Sequence, residues 1–373
     1  MLYFTIFTYS PDTAPTNRFM AYIKAMSEKG VKACVCFFFP DNNRSKVKGQ
    51  YPNIDFIYFW EKAFIDIPIL NKISLRHYIK KFVSCLNHKD IVYVYSFPDL
   101  VQALSRRKDI DIFVEITEHP AVSFPAYLNG TSQRGFIEVC KRINGIIVIS
   151  QGLKDYMVSC GCNPEKVRIV NMFVDTTRFN GLSKQTSDPY IAYCGTASNN
   201  KDGVDQLVAS FSRVVEYHPY YKLYIIGSIP SNKERFANLE LVKSLGLENN
   251  VFFTGHIKSE KIPQMLKDAS ILALARPDNL QAKYGFPTKL GEYLMTANPV
   301  VVTNVGDISI FFKDGYNAMI ASPNNPQEFS DKILWLIEHP DEAYGIGRRG
   351  KDVADNSFNY KIETDKLLGF LEK

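Results

Sequence analysis

No run of about 18 apolar residues occurs in the 373-residue sequence, so no helix is expected to span a membrane. The opening, MLYFTIFTYSP, lacks a basic stretch ahead of its apolar one and reads as a first β-strand, not a signal peptide. The 7 cysteines include no CxxC. Cys34 and Cys36 form one C-x-C and Cys160 and Cys162 another, neither with a histidine at zinc-like spacing, so reduced and mostly buried thiols are expected. No G-x-G-x-x-G follows the first strand of either half, which leaves nicotinamide chemistry little support, and no G-x-x-x-x-G-K-[ST] occurs. The D-x-D at Asp109-Ile110-Asp111 precedes an expected strand, whereas a metal-binding pair would follow one. It reads as a solvated strand entry, and no metal or other cofactor is expected.

What is present describes a folded protein. Hydrophobic residues make up 46% and charged residues 22%, which excludes a disordered chain, and 26 Phe with 21 Tyr supply large cores. At roughly 100–200 residues per domain, the length suggests two domains. Charge is uneven: residues 1–185 hold 24 Lys+Arg against 16 Asp+Glu, while the remainder is slightly acidic. A basic first half suits an anionic partner, and phosphate headgroups, a lipid-linked diphosphate or nucleic acid all fit.

Strands and helices alternate throughout, which predicts parallel sheets covered by helices on both faces, an α/β chain. In the first half the strands are Leu2–Thr8, Val31–Phe39, Ile54–Trp60, Ile91–Tyr95, Ile112–Ile116, Ile146–Ile149 and Val167–Val170, with a helix over Arg18–Lys29. After a polar, aperiodic stretch, strands recur at Tyr190–Cys194, Lys222–Gly227, Val251–Thr254, Ile271–Ala275 and Val300–Thr303. A last amphipathic helix, Asn359–Glu372, has no place in the second sheet.

Ligands of open α/β sheets collect at the carboxyl ends of the strands. After Tyr190–Cys194 comes a small polar loop, Gly195 to Gly203, with Lys201 ahead of a helix, which suits a diphosphate. Arg276 follows Ile271–Ala275. Thr288 and Glu292 are i and i+4 on the next helix; they could hold a phosphate and a diol, or be a plain cap and a solvated carboxylate. His119, after Ile112–Ile116 and before Pro120, could bind a sugar hydroxyl, move a proton or be structural. Over Asn71–Asp90, Leu75, Ile79, Phe82, Val83 and Leu86 form an apolar stripe beside a basic row of Lys72, Arg76 and Lys80. This helix either lies on an anionic membrane or faces the core, and the loop Arg44–Lys48 adds charge to the same half.

Ile146–Leu153, Val174-Asp175 with Phe179, Tyr193-Cys194-Gly195 with Lys201-Asp202-Gly203, and Gly285–Leu294 with Asn298–Val301 together resemble segments of the retaining glycosyltransferases of family 4. The resemblance implies a GT-B fold, two doubly wound Rossmann-like domains facing across a cleft. Residues 1–185 would bind the acceptor and 186–356 the nucleotide sugar, with 357–373 crossing back to the first domain. It implies that Lys201 contacts the diphosphate, that Glu292 holds the ribose and that His119 sits near the donor sugar, these three forming the catalytic set. Gly195, Thr196, Arg276, Tyr284, Gly285, Phe286, Pro287 and Thr288 complete the donor site, and Asn17, Arg18 and Glu118 join His119 on the acceptor side. Two positions depart from the family pattern: Tyr284 stands where its first glutamate is usual, and Thr196 where an arginine is, with Arg276 able to supply the charge.

The implied activity moves a sugar from a nucleotide sugar, UDP-linked by preference or GDP-linked, to a glycan or lipid-linked acceptor in bacterial surface polysaccharide or glycoconjugate synthesis. No nucleic acid partner is expected. The expected setting is cytoplasmic, peripheral to the inner membrane face. A nucleotide-sugar epimerase or phosphorylase of the same fold, and a non-catalytic glycan- or lipid-binding subunit, are the alternatives.

Overall fold

A computed structural model describes residues 1–10, 13–40, 47, 49–60, 67–123 and 132–372. Of the loop Arg44–Lys48, all but Val47 lies outside the described residues. Contacts divide the chain into two compact units, Met1–Asn171 with Tyr360–Lys373, and Met172–Asn359. The sequence reading places the divisions at 185/186 and 356/357 instead.

The first unit holds seven strands: β1 (Leu2–Ile6), β2 (Ala33–Phe37), β3 (Ile54–Tyr58), β4 (Ile91–Tyr95), β5 (Asp111–Ile116), β6 (Gly145–Val148) and β7 (Val167–Ile169). They run parallel in the order β3-β2-β1-β4-β5-β6-β7. β2, β4 and β6 are almost wholly buried, as Val-, Ile- and aromatic-rich strands covered on both faces must be. The first helix, Ala14–Glu28, starts four residues before the expected Arg18 because Pro15 lies in its first turn, where its fixed φ and missing N–H are harmless. The tail helix Tyr360–Leu371 belongs to this unit: the Tyr360 hydroxyl donates to Glu28 Oε2 at 3.0 Å and Phe370 packs edge-on against Phe113 at 5.5 Å.

The second unit holds β8 (Tyr190–Cys194), β9 (Lys222–Ile226), β10 (Val251–Gly255), β11 (Ile271–Leu274), β12 (Val300–Thr303) and β13 (Met319–Ala321). These also run parallel, in the order β10-β9-β8-β11-β12-β13. Both sheets therefore reverse direction once, between β1 and β4 and between β8 and β11, and such switch points open a crevice at the strand carboxyl ends. Strand β13 and the helix Pro340–Ser357 were not foreseen. That helix carries Gly345, Gly347 and Gly350; a Cβ on Gly347 would lie 2.2 Å from the Ala297 carbonyl oxygen, and one on Gly350 2.9 Å from that of Asn317. The glycines lower helix propensity but let the backbone approach its neighbours closely.

Candidate functional site

The second unit's switch point is built around Gly195, at the end of β8. Its φ of +147° is open only to glycine, and a Cβ there would lie 2.7 Å from Cε and Nζ of Lys289. A Cβ on Gly227, past β9, would meet the Gly195 carbonyl oxygen at 2.0 Å, so this loop needs two glycines. Ser198 then caps a short helix, Asn199–Asp202, its Oγ accepting the Lys201 N–H at 3.3 Å, and left-handed Gly203 ends it. The loop thereby sets Lys201, half-buried, at the carboxyl edge of the sheet.

Beneath the loop lies a buried charged cluster. Lys289, from the helix Thr288–Met295, donates to Asp202 Oδ2 and, at 3.2 Å, to the Tyr193 hydroxyl. That hydroxyl lies 2.7 Å from Asp202 Oδ2 and 2.6 Å from the Thr196 carbonyl. Arg276 follows β11; its Nε is 3.8 Å from Asp202 Oδ1 and donates to the Lys201 carbonyl at 3.3 Å. Burial favours the neutral form of Asp202, but Lys289 and Arg276 outweigh it and hold the carboxyl below its ordinary value. Burial also draws the Lys289 amine below its ordinary value; Asp202 opposes this, and Arg276 and Lys201 reinforce it. One carboxylate thus faces two cations, with the Lys201 charge felt at Lys289, a cluster of the kind that suits a diphosphate.

Glu292 lies one turn further along the helix Thr288–Met295. Its carboxylate pairs with Arg178, whose other terminal nitrogen donates to the Ser259 carbonyl at 3.0 Å. The Tyr293 hydroxyl accepts the Cys194 N–H at 2.6 Å and so ties this helix to the end of β8. Tyr284 ends the short helix Leu280–Tyr284, half-buried with the Lys283 amine over its ring at 5.7 Å. Thr196 is exposed and Thr288 half-buried.

Two donor-site expectations need correction. Phe286 packs its ring on Phe311 and Phe358 at 5.5 and 5.1 Å, so any part in the donor site falls to its backbone. Pro287 is buried and has no N–H to offer. The Gly285 N–H already donates to the Gln281 carbonyl at 3.0 Å, so it is not free for a phosphate.

In the first unit, His119 is buried beside Tyr156, ring centroids 4.1 Å apart. Its Nδ1 accepts the Ala121 N–H at 3.1 Å, which keeps the proton of the neutral ring on Nε2, and burial lowers its pKa. Glu118 is half-buried next to it and Asn17 exposed on the first helix. Arg18 is not an acceptor residue. It is buried with Nε on Glu115 Oε1 at 2.5 Å, while its terminal nitrogens donate to the Tyr22 hydroxyl, the Val170 carbonyl and the Asn171 carbonyl at 2.7–2.9 Å. Sequence reasoning missed Arg178, Tyr193, Asp202 and Lys289 as site residues, although each falls inside or beside a motif that it singled out. The D-x-D is a strand entry, with Asp109 on Arg107 at 2.7 Å, and no group of three metal-ligating side chains occurs among the described residues.

The models of two known families match in tandem, Glycosyltransferase Family 4 over residues 17–178 and Glycosyl transferases group 1 over residues 174–353. Mannosylfructose-phosphate synthase of Agrobacterium fabrum is 27% identical over 185 residues, 48% of this chain and 39% of its own length. A putative colanic acid biosynthesis glycosyltransferase, WcaL of Salmonella typhimurium, is 22% identical over 57% of this chain and 53% of its own. The chain thus spans about half the length of the curated relatives it matches. Among solved structures, Anabaena Alr3699/HepE in complex with UDP superposes with a TM-score of 0.77 at 16% identity, over 100% of this chain and 99% of its own. With two parallel doubly wound sheets of this order, and the two family models in succession, the chain belongs to the GT-B glycosyltransferases, a family 4 half followed by a group 1 half.

Proposed function

We propose that the protein is a retaining glycosyltransferase that moves a sugar from a UDP-sugar to a glycan or lipid-linked acceptor in surface polysaccharide synthesis, acting at the cytoplasmic face of a membrane. The observation that carries this reading is the clustering of Lys289, Arg276 and Lys201 about Asp202 under the Gly195 turn, at the sheet's switch point. Breaking the bond between sugar and nucleotide builds negative charge on the departing diphosphate. Lys201, Arg276 and the N–H groups opening the helix Thr288–Met295 stabilise that charge, each such preorganised donor contributing about 3–4 kcal/mol. Lys289 and Asp202 hold the loop in place for it. Glu292 takes the ribose diol, with Arg178 fixing its carboxylate. Neutral His119 donates from Nε2 to a sugar hydroxyl.

UDP is favoured over GDP because the structural neighbour from Anabaena is described with UDP and with UDP-glucose, and polysaccharide synthesis because a relative is described in colanic acid biosynthesis. Purified protein is incubated with labelled UDP- and GDP-sugars and lipid-linked acceptors, and the product's anomeric configuration is read by NMR. Retained configuration is expected. Lys201→Ala should lower transfer at least about 100-fold with the melting temperature unchanged. Unaltered transfer in that variant would overturn the residue's role. UDP binding without any transfer would favour a non-catalytic subunit.

A further inference from the structure

We propose that the outward face of the helix Pro68–Cys85 docks the first unit on an anionic lipid bilayer. Of the stripe that the sequence offers for such contact, Leu75, Ile79, Phe82 and Leu86 are buried in the unit's own core and Val83 is half-buried. The opposite side has a pattern of its own. Ile69, Ile73, Arg76 and Lys80 stand at i, i+4, i+7 and i+11, a single line along the helix. Ile69 is 70% exposed and Ile73 57%, with Ile67 at 48% and Leu70 at 38%. Four large apolar side chains left in water at one helix end mark an interaction surface. Exposed Lys72, Arg76, Lys80 and Lys81 continue it, and the helix contains no Asp or Glu to neutralise them.

The combination selects the partner. Isoleucines alone would suit another protein or a second copy of this chain. Cations alone would suit any polyanion. A surface that is anionic at the headgroups and apolar just beneath answers both at once, the isoleucines entering the acyl boundary and the cations staying among the phosphates. This docking face rests on the membrane-face reading above, not on the assignment of the nucleotide site.

The test is co-sedimentation of the full chain with vesicles of phosphatidylcholine alone or mixed with phosphatidylglycerol. The wild type should bind the mixed vesicles, less so in high salt, and leave pure phosphatidylcholine largely free. Lys72→Gln, Arg76→Gln and Lys80→Gln together should weaken binding about 100-fold, at about five-fold per cation. Ile69→Ser with Ile73→Ser should weaken it as severely, and both variants should keep the wild-type melting temperature because every altered side chain is exposed. A wild type that ignores the mixed vesicles overturns the proposal. So does an isoleucine variant that binds them undiminished, which would mean simple polyanion attraction, or self-association abolished by the isoleucine changes without any vesicle binding. Nucleotide binding by the same variants, expected unchanged, keeps a failure here distinct from a failure of the glycosyltransferase reading.

Discussion

Each unit buries a carboxylate, a cation and tyrosine hydroxyls beside its sheet, and the two clusters serve different ends. In the first unit Arg18 and Glu115 are both sealed, and Tyr22, Tyr93 and two backbone carbonyls take up the remaining polar atoms. Arg18 pairs with Glu115, with the buried Glu363 carboxylate also within its field, and the cluster braces the first helix against β5 and the end of the unit. In the second unit Asp202 faces Lys289 and Arg276, with Lys201 close by, and the cluster lies under an open glycine turn. The same side-chain types therefore make a sealed strut in one unit and, in the other, underlie a turn at the sheet's carboxyl edge, the site proposed to receive the diphosphate.

The largest expected effect tests the strut. Arg18→Ala leaves Glu115 buried without its partner and should cost about 3–5 kcal/mol of stability, read by thermal or urea unfolding. Whatever folded protein remains should bind UDP normally; a selective loss of nucleotide affinity would erase the distinction between the clusters. Lys289→Met should do the reverse. Arg276 still faces Asp202, so the stability loss should be smaller, about 1–3 kcal/mol, and calorimetry should show nucleotide affinity falling about tenfold or more. Gly195→Ala should mimic part of that loss, because the new methyl group would strike the Lys289 amine.

The smallest effect is a matter of pH. The Asp202 carboxyl is depressed in the folded state, so its contribution is present above its ordinary pKa of about 3.9 and disappears as pH falls through the lower folded value. The melting-temperature gap between wild type and Asp202→Asn should be widest above about pH 5 and narrow towards pH 3. A gap that stays constant would mean that the ion pair adds nothing.

Much of the fold was legible because its signals are local. Ile91–Tyr95, Tyr190–Cys194 and Val300–Thr303 are short apolar runs between breakers, and the observed strands have those bounds. The helix Pro340–Ser357 was not legible, since Gly345, Gly347 and Gly350 read as breakers until the backbone that Gly347 and Gly350 pack against is known. The site divides in the same way. Gly195, Lys201 and Thr288 were named as candidates through turn and helix-start chemistry, and the fold does bring them to the sheet's carboxyl edge. Lys289 with Asp202 and Arg178 with Glu292 are pairs 87 and 114 residues apart in sequence, and no local pattern joins them. Arg18 misled because a cation near a strand end looks available until the fold closes over it.

The glycines of the helix Pro340–Ser357 also bear on the placing of Glu292 in the proposed donor site. This helix packs along the helix Thr288–Met295 with backbone against backbone at Ala297, and side chains that might change rotamer do not intervene there. Glu292 rides on the supported helix. Two absent methyl groups, at Gly347 and Gly350, therefore bear on where its carboxylate can stand, and a mutation screen confined to ligand-facing positions would overlook them.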